Sequence, residues 1–199
     1  MTENSLKQMN VYSVSYVYTL LVGDHTRVHW DKYVWNRLSI PKHRFVIWLA
    51  MKRRLQTTEH LHRIGVSNTS NCLICGNGVE DHVHLFFSCY YSEKILKKVK
   101  DWMGIKTQKQ ELMELIRWLS RSNHSKFQKQ VLAAVWAAMV YYIWGARNDA
   151  YWNSQVVNID TIVHRIQKMV IERVYSVLPK KLSRKDREWM RSRALLVCN

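Results

Sequence analysis

Residues 72–89 read CLICGNGVEDHVHLFFSC, which is the spacing C-x2-C-x8-H-x4-C. Two thiols two residues apart straddle a tight turn and point at one place, and a histidine and a third cysteine return from the following segment. Four soft or borderline donors so spaced suit zinc, which takes thiolates and imidazole in a tetrahedron. The spacing therefore predicts one zinc ion held by Cys72, Cys75, His84 and Cys89. A complete ligand set leaves no open position for water, so the ion is expected to be structural and not catalytic. Gly76 and Gly78 let the turn close around the sulfurs. His82 is the rival fourth ligand; His84 is preferred because Leu85 and Phe86 after it read as a packed segment. Three of the chain's four cysteines lie within these eighteen residues, which favours a metal site in a reducing, intracellular compartment, nucleus or cytoplasm ahead of an organelle. Cys198 reads as a bystander.

Around this segment the chain has material for a core. It has 199 residues, is 47% hydrophobic and contains nine Trp and ten Tyr but only six Gly and two Pro. Few backbone breakers and many apolar-periodic stretches predict a mostly α fold, a helical bundle with a CCHC-type zinc knuckle insert and a small β-hairpin. Ser13 or Ser15 caps a first short helix that Gly23 ends, and a second spans Trp30 to Leu38. Pro41 opens a third, with Phe45, Trp48, Leu49 and Met51 toward the core and Arg44, Lys52, Arg53 and Arg54 outward. Thr57 or Thr58 caps a helix holding Leu61 and Ile64, and Ser92 caps one with Ile95, Leu96, Val99 and Trp102 inward. Leu112, Leu115, Ile116 and Leu119 mark the next. Ser125 starts a long helix through Ile143, and a last one runs from Asp160 to Leu178, stopped by Pro179. This divides the chain into a flexible N-terminus (1–10), a zinc-binding domain (11–104), a C-terminal helical region (105–178) and a basic tail (179–199). The strongest apolar run, Val131 to Trp144, is fourteen residues, too short to span a bilayer.

The net charge is +16, from 31 Lys and Arg against 15 Asp and Glu. Such an excess points to an acidic partner, nucleic acid first. Lys42, Arg44, Lys52, Arg53, Arg54, Lys94, Lys97, Lys98, Lys180, Lys181, Arg184 and Lys185 are the candidate phosphate contacts, for RNA or single-stranded DNA. Tyr90, Tyr91 and Trp189 are candidates for stacking on unpaired bases. The alternative is a protein-interaction scaffold within a larger complex such as a ribonucleoprotein, docking through the 131–144 helix or the 162–177 face. No residue is assigned to catalysis. The acidic residues lack the aspartate doublet that holds polymerase metals, and the nine histidines read as surface groups without a telling partner. Glu80–Asp81, the one adjacent acidic pair, is expected to tune the zinc ligands or meet solvent.

Several stretches carry a resemblance. YSVSYVYTLL, VHWDKYVWNRLSIPKHRFVIWLAMKRRLQTTEHLHRIGV and CLICGNGVEDHVHLFFSCYYS together resemble the zinc-binding domain of plant reverse transcriptases of the non-LTR (LINE-type) retrotransposon class. Pro41, Lys42, Phe45, Trp48, Leu55, Thr57, Leu61, Cys72, Cys75, Glu80, His84, Leu85, Phe86 and Cys89 match the pattern. IWGARNDAYWN is similar to the tryptophan–arginine–asparagine motif that follows the domain in such elements, with Arg147 and Asn148 at its polar positions. The resemblance covers residues 11 to about 152 and does not decide between His82 and His84. It implies a domain that lies after a polymerase and helps hold template RNA or target DNA. The initial Met suggests a truncated or co-opted copy.

Overall fold

The computed structural model of the chain describes residues 28–109 and 111–195. The helix expected after Ser13 or Ser15, the polar N-terminus and Cys198 lie outside the described residues.

The architecture is built around one long helix, α6, running Lys126–Asn153. Its start is set by a capping box: the Ser125 hydroxyl accepts from the Gln128 amide at 3.1 Å, and the Gln128 side chain accepts from the Ser125 amide at 3.3 Å. Every residue from 131 to 140 is buried. A helical stretch apolar all round must be enclosed, and this one is. Around it pack α1 (Asp31–Val34), α2 (Pro41–Met51), α4 (Tyr90–Met103), α5 (Leu112–Arg121) and α7 (Ile159–Ser176). A short α3 (Thr58–Arg63), a π-helical turn (His84–Ser88) and α8 (Arg184–Ser192) complete the order. One connected core runs from Trp30 to Leu195, with Phe86, Leu115, Leu132 and Trp136 among its largest enclosed side chains. The fold is mostly helical, as the breaker-poor sequence predicts. The expected hairpin is reduced to a single antiparallel bridge between Asn71 and Val79.

Several helices differ in register from the sequence expectation. Pro41 does open α2, but the buried stripe is His43, Ile47 and Ala50. Phe45 is 53% exposed and Trp48, Leu49 and Met51 are half-buried. The cause is tertiary: His43 stacks its ring 4.3 Å from Tyr141 of α6, which turns the face of His43, Ile47 and Ala50 inward. Burial, and then the charge of Lys42, pushes the His43 imidazole down to about 4, so it packs as a neutral ring and is no surface histidine. The second helix is four residues, not nine, because Asn36 takes over, donating to the Tyr33 carbonyl and accepting from the Leu38 and Ser39 amides. Ile64, just past the end of α3, is 55% exposed. Ser92 does not cap α4; it lies inside that helix, buried, with its hydroxyl donating to the Leu85 carbonyl. Trp102 is half-buried and donates to the Arg193 carbonyl at 2.9 Å.

The two apolar faces considered for docking a partner are consumed internally. Residues 131–140 are enclosed, and Ile162, Val163, Ile166, Val170 and Val174 of α7 are buried against the body, with α6 and α4 as neighbours. The stretch after Pro179 includes a docked helix: Ser183 caps α8, and Met190 and Leu195 are buried. Asp186 of α8 accepts from Ser125 at 2.6 Å and from Gln128 at 3.0 Å, which ties it to the start of α6. Among the described residues no helix is long and apolar enough to cross a membrane.

Truncating Trp136, fully enclosed on α6, is expected to cost about 3–5 kcal/mol of unfolding free energy. Phe45→Ala is expected to change it by less than about 1 kcal/mol, since most of that ring is already in water. Urea unfolding of both variants checks the register of α2 directly.

Candidate metal centre

The knuckle begins where the Asn71–Val79 bridge brings the chain back on itself. The Cys72 amide donates to the Gly78 carbonyl at 2.9 Å and the Gly76 amide to the Cys72 carbonyl at 2.8 Å. Gly76 and Gly78 both have a φ of 72°, a left-handed conformation that a side chain would strain. The turn so closed brings Cys72 and Cys75 together. The other two donors flank the π-helical turn, whose extra residue per turn buries Leu85, Phe86 and Phe87 together and leaves His84 and Cys89 facing the knuckle. The His84 amide is fixed by the Asp81 carboxylate at 2.6 Å.

The donor atoms of Cys72, Cys75, His84 and Cys89 all lie within 4.8 Å of one another. The Cys72 and Cys89 sulfurs are 3.9 Å apart, and the Cys75 sulfur is 3.4 Å from His84 Nε2. A regular tetrahedron with ordinary zinc bond lengths has sulfur–sulfur edges of about 3.8 Å and sulfur–nitrogen edges of about 3.6 Å. The four groups are therefore already spaced for one zinc ion. Cys72 and Cys89 are buried, and Cys75 and His84 are partly so. The hydrogen bond to Cys89, and then burial, pushes the Cys72 thiol up, while the same bond draws Cys89 down. Thiols this close do not ionise together without a cation among them, and a divalent ion supplies that charge.

Residues 12–95 match the family model described as zinc-binding in reverse transcriptase. This segment is a zinc-binding domain of that family. It holds all four ligands, and its zinc is structural. The match stops at residue 95, short of the resemblance extended above to about residue 152. Comparisons with curated proteins and with solved structures find no match.

His82 is not part of the cluster. Its Nε2 accepts from the Leu55 amide at 3.3 Å, and burial, then Arg53, pushes its imidazole down. Glu80 is also placed differently from the expectation. Unlike Asp81, which is exposed and holds the His84 amide, Glu80 does not meet solvent: it is fully buried and pairs at 2.9 Å with Arg147 of α6, itself 3% exposed. The same carboxylate accepts from the Thr58 amide and hydroxyl at 2.9 and 2.7 Å, and its second oxygen from the Leu73 amide inside the knuckle at 3.1 Å. Arg147 lies between the rings of Trp144 and Tyr151, each about 5 Å from its guanidinium carbon. Sequence reasoning noticed both residues as motif positions but had no signal that they meet.

The candidate phosphate contacts are dispersed. Lys52, Arg53 and Arg54 are exposed at the end of α2, and Arg53 is close enough to His82 to act on it. Lys94, Lys97 and Lys98 are exposed on α4, the helix that follows Cys89 directly, and Lys98 pairs with Asp160 at 3.0 Å. Lys42 lies over Tyr141 at 5.1 Å. Arg44 is partly buried and donates to the Ser39 carbonyl at 2.8 Å. Lys180, Lys181, Arg184 and Lys185 are exposed around the start of α8, with Arg184 paired to Glu188. Tyr90 is 65% exposed, but Tyr91 is buried with its hydroxyl donating to the Val157 carbonyl at 2.7 Å.

Metal analysis of the purified protein is expected to give one zinc per chain, lost in Cys75→Ser and in Cys89→Ser and retained in Cys198→Ser and His82→Gln. Arg147→Met strands the Glu80 charge in the interior and is expected to cost about 3–5 kcal/mol, read by chemical unfolding with zinc present.

Proposed function

We propose that this zinc-binding module is a non-catalytic nucleic-acid binder of retrotransposon origin, of the plant non-LTR type, and that it takes RNA or single-stranded DNA through its phosphates. The observation that carries this reading is the exposed triad Lys52, Arg53 and Arg54 beside the knuckle, in a chain of net charge +16. Lys94 and Lys97 extend the positive surface on the helix that leaves the site. Tyr90, exposed with Lys94 at 5.2 Å from its ring, offers a face on which a base can stack. Tyr91 is withdrawn from that role by its burial. Two features support a binding role without chemistry. The zinc ligand set is complete, and among the described residues the two buried carboxylates, Glu80 and Asp186, are taken up by Arg147 and by Ser125, Gln128 and Ser183. The two helical faces offered as docking surfaces for the scaffold alternative are largely buried within the body.

Binding to a labelled single strand is expected to weaken with salt at roughly −0.7 per phosphate contact on a log–log plot, because each neutralised phosphate frees a condensed cation. Neutralising Lys52, Arg53 and Arg54 is expected to flatten that slope without lowering the melting temperature. Glycine is the substitute of choice at 53, where φ is 52°. No binding at moderate salt would return the function to a protein-interaction scaffold.

A further inference from the structure

At the end of the body where α6 begins, a cavity of about 350 Å³ is lined by Lys32, Tyr33, Ser120, His124, Lys126, Lys129 and Gln130. Three of the seven are lysines and none is a carboxylate. The chain has placed Lys126 and Lys129 in the first turn of its longest helix, which has no acidic residue there. The helix dipole presents its positive end at that point, so cations are disfavoured and an anion is favoured. Lys129 is held in place by its bond to the Ser120 carbonyl at 2.9 Å, and Lys32 lies over the Tyr33 ring. His124 stands edge-on to Trp118 with a buried Nδ1 that has no hydrogen-bond partner. Burial first, and then the charges of Lys129, Arg193 and Lys185, push its imidazole down. The Asp186 carboxylate approaches this end of α6 with its oxygens engaged by Ser125, Gln128 and Ser183, and it does not line the cavity. The cavity lining therefore concentrates positive charge without a carboxylate of its own to match it.

We infer that this cavity is a seat for a phosphoryl group, held by Lys32, Lys126 and Lys129 with Tyr33 and Gln130 around it. It lies outside the segment matched to the family, apart from Lys32 and Tyr33, and is distinct from the Lys52–Arg54 surface. A phosphoryl group can arrive as the terminal phosphate of a polynucleotide or as a small free phosphate. Only the first of these sources rests on the nucleic-acid reading above.

Pyrophosphate is the direct probe, titrated by calorimetry into the zinc-loaded full chain. Saturable binding is expected, weakened about tenfold or more in Lys126→Glu, which replaces attraction by repulsion at the cavity mouth. That variant also puts a carboxylate where the helix dipole favours one, so its melting temperature should hold or rise, separating lost binding from lost fold. Lys32→Gln, an exposed position on another helix, should weaken binding in the same direction. A second arm compares a 5′-phosphorylated oligonucleotide with its 5′-hydroxyl counterpart. A preference for the phosphorylated strand that Lys126→Glu abolishes supports the polynucleotide end as the source. Pyrophosphate binding with no such preference supports a small phosphate. No pyrophosphate binding up to about 10 mM, or equal binding by the wild type and both variants, overturns the seat. Oligonucleotide binding that stays steeply salt-dependent in that case leaves the broader nucleic-acid reading standing.

Discussion

The buried pair of Glu80 and Arg147 joins the two halves of this protein. Glu80 leaves the zinc knuckle and Arg147 sits near the end of the central helix, yet their charged atoms are 2.9 Å apart with almost no solvent access. A carboxylate and a guanidinium removed from water are tolerated only when their remaining lone pairs and protons are satisfied. Thr58, Leu73 and Asn148 supply those partners, and the rings of Trp144 and Tyr151 cover the cation. The Leu73 amide belongs to the segment between two zinc ligands, so the carboxylate that anchors the knuckle also anchors it to α6.

This arrangement explains why the helices beyond the family-matched segment matter to the metal site. The π-helical turn that carries His84 buries its three apolar residues within the same core as α6. Zinc fixes the knuckle from one side, and the ion pair with the enclosed turn fixes it from the other. A structural zinc in so small a loop does not stand alone: its binding energy is folding energy, shared with whatever the loop is packed upon. The cations, by contrast, stay largely at the surface.

Much of this was legible beforehand. The three cysteines follow from spacing alone, whereas the choice of His84 over His82 was made by the fold, which brings His84 to the thiols and turns His82 to the Leu55 amide. The long helix follows from an uninterrupted apolar run behind a serine and a glutamine three residues on. The misplaced elements trace to contacts made outside their own segments. Phe45 was expected inward because it is apolar, and His43 outward because it is polar. The facing Tyr141 of α6 decided otherwise, stacking on the imidazole. Ser92 has the chemistry of a cap, but the helix starts earlier, at the ligand Cys89, and the hydroxyl found a carbonyl in the π-helical turn.

The sequence by itself determined the metal, its three cysteine ligands, the helical class and the strong positive charge, since each is a matter of residue type at short spacing. Only the tertiary structure decided that Glu80 pairs with Arg147, that the tail folds back so Asp186 caps the neighbourhood of α6, and that Lys32 shares a cavity with Lys126 and Lys129. Those groups are tens of residues apart in the chain. Their meeting depends on how long helices pack, and packing selects its partners by shape and burial across the whole core, which no local pattern encodes.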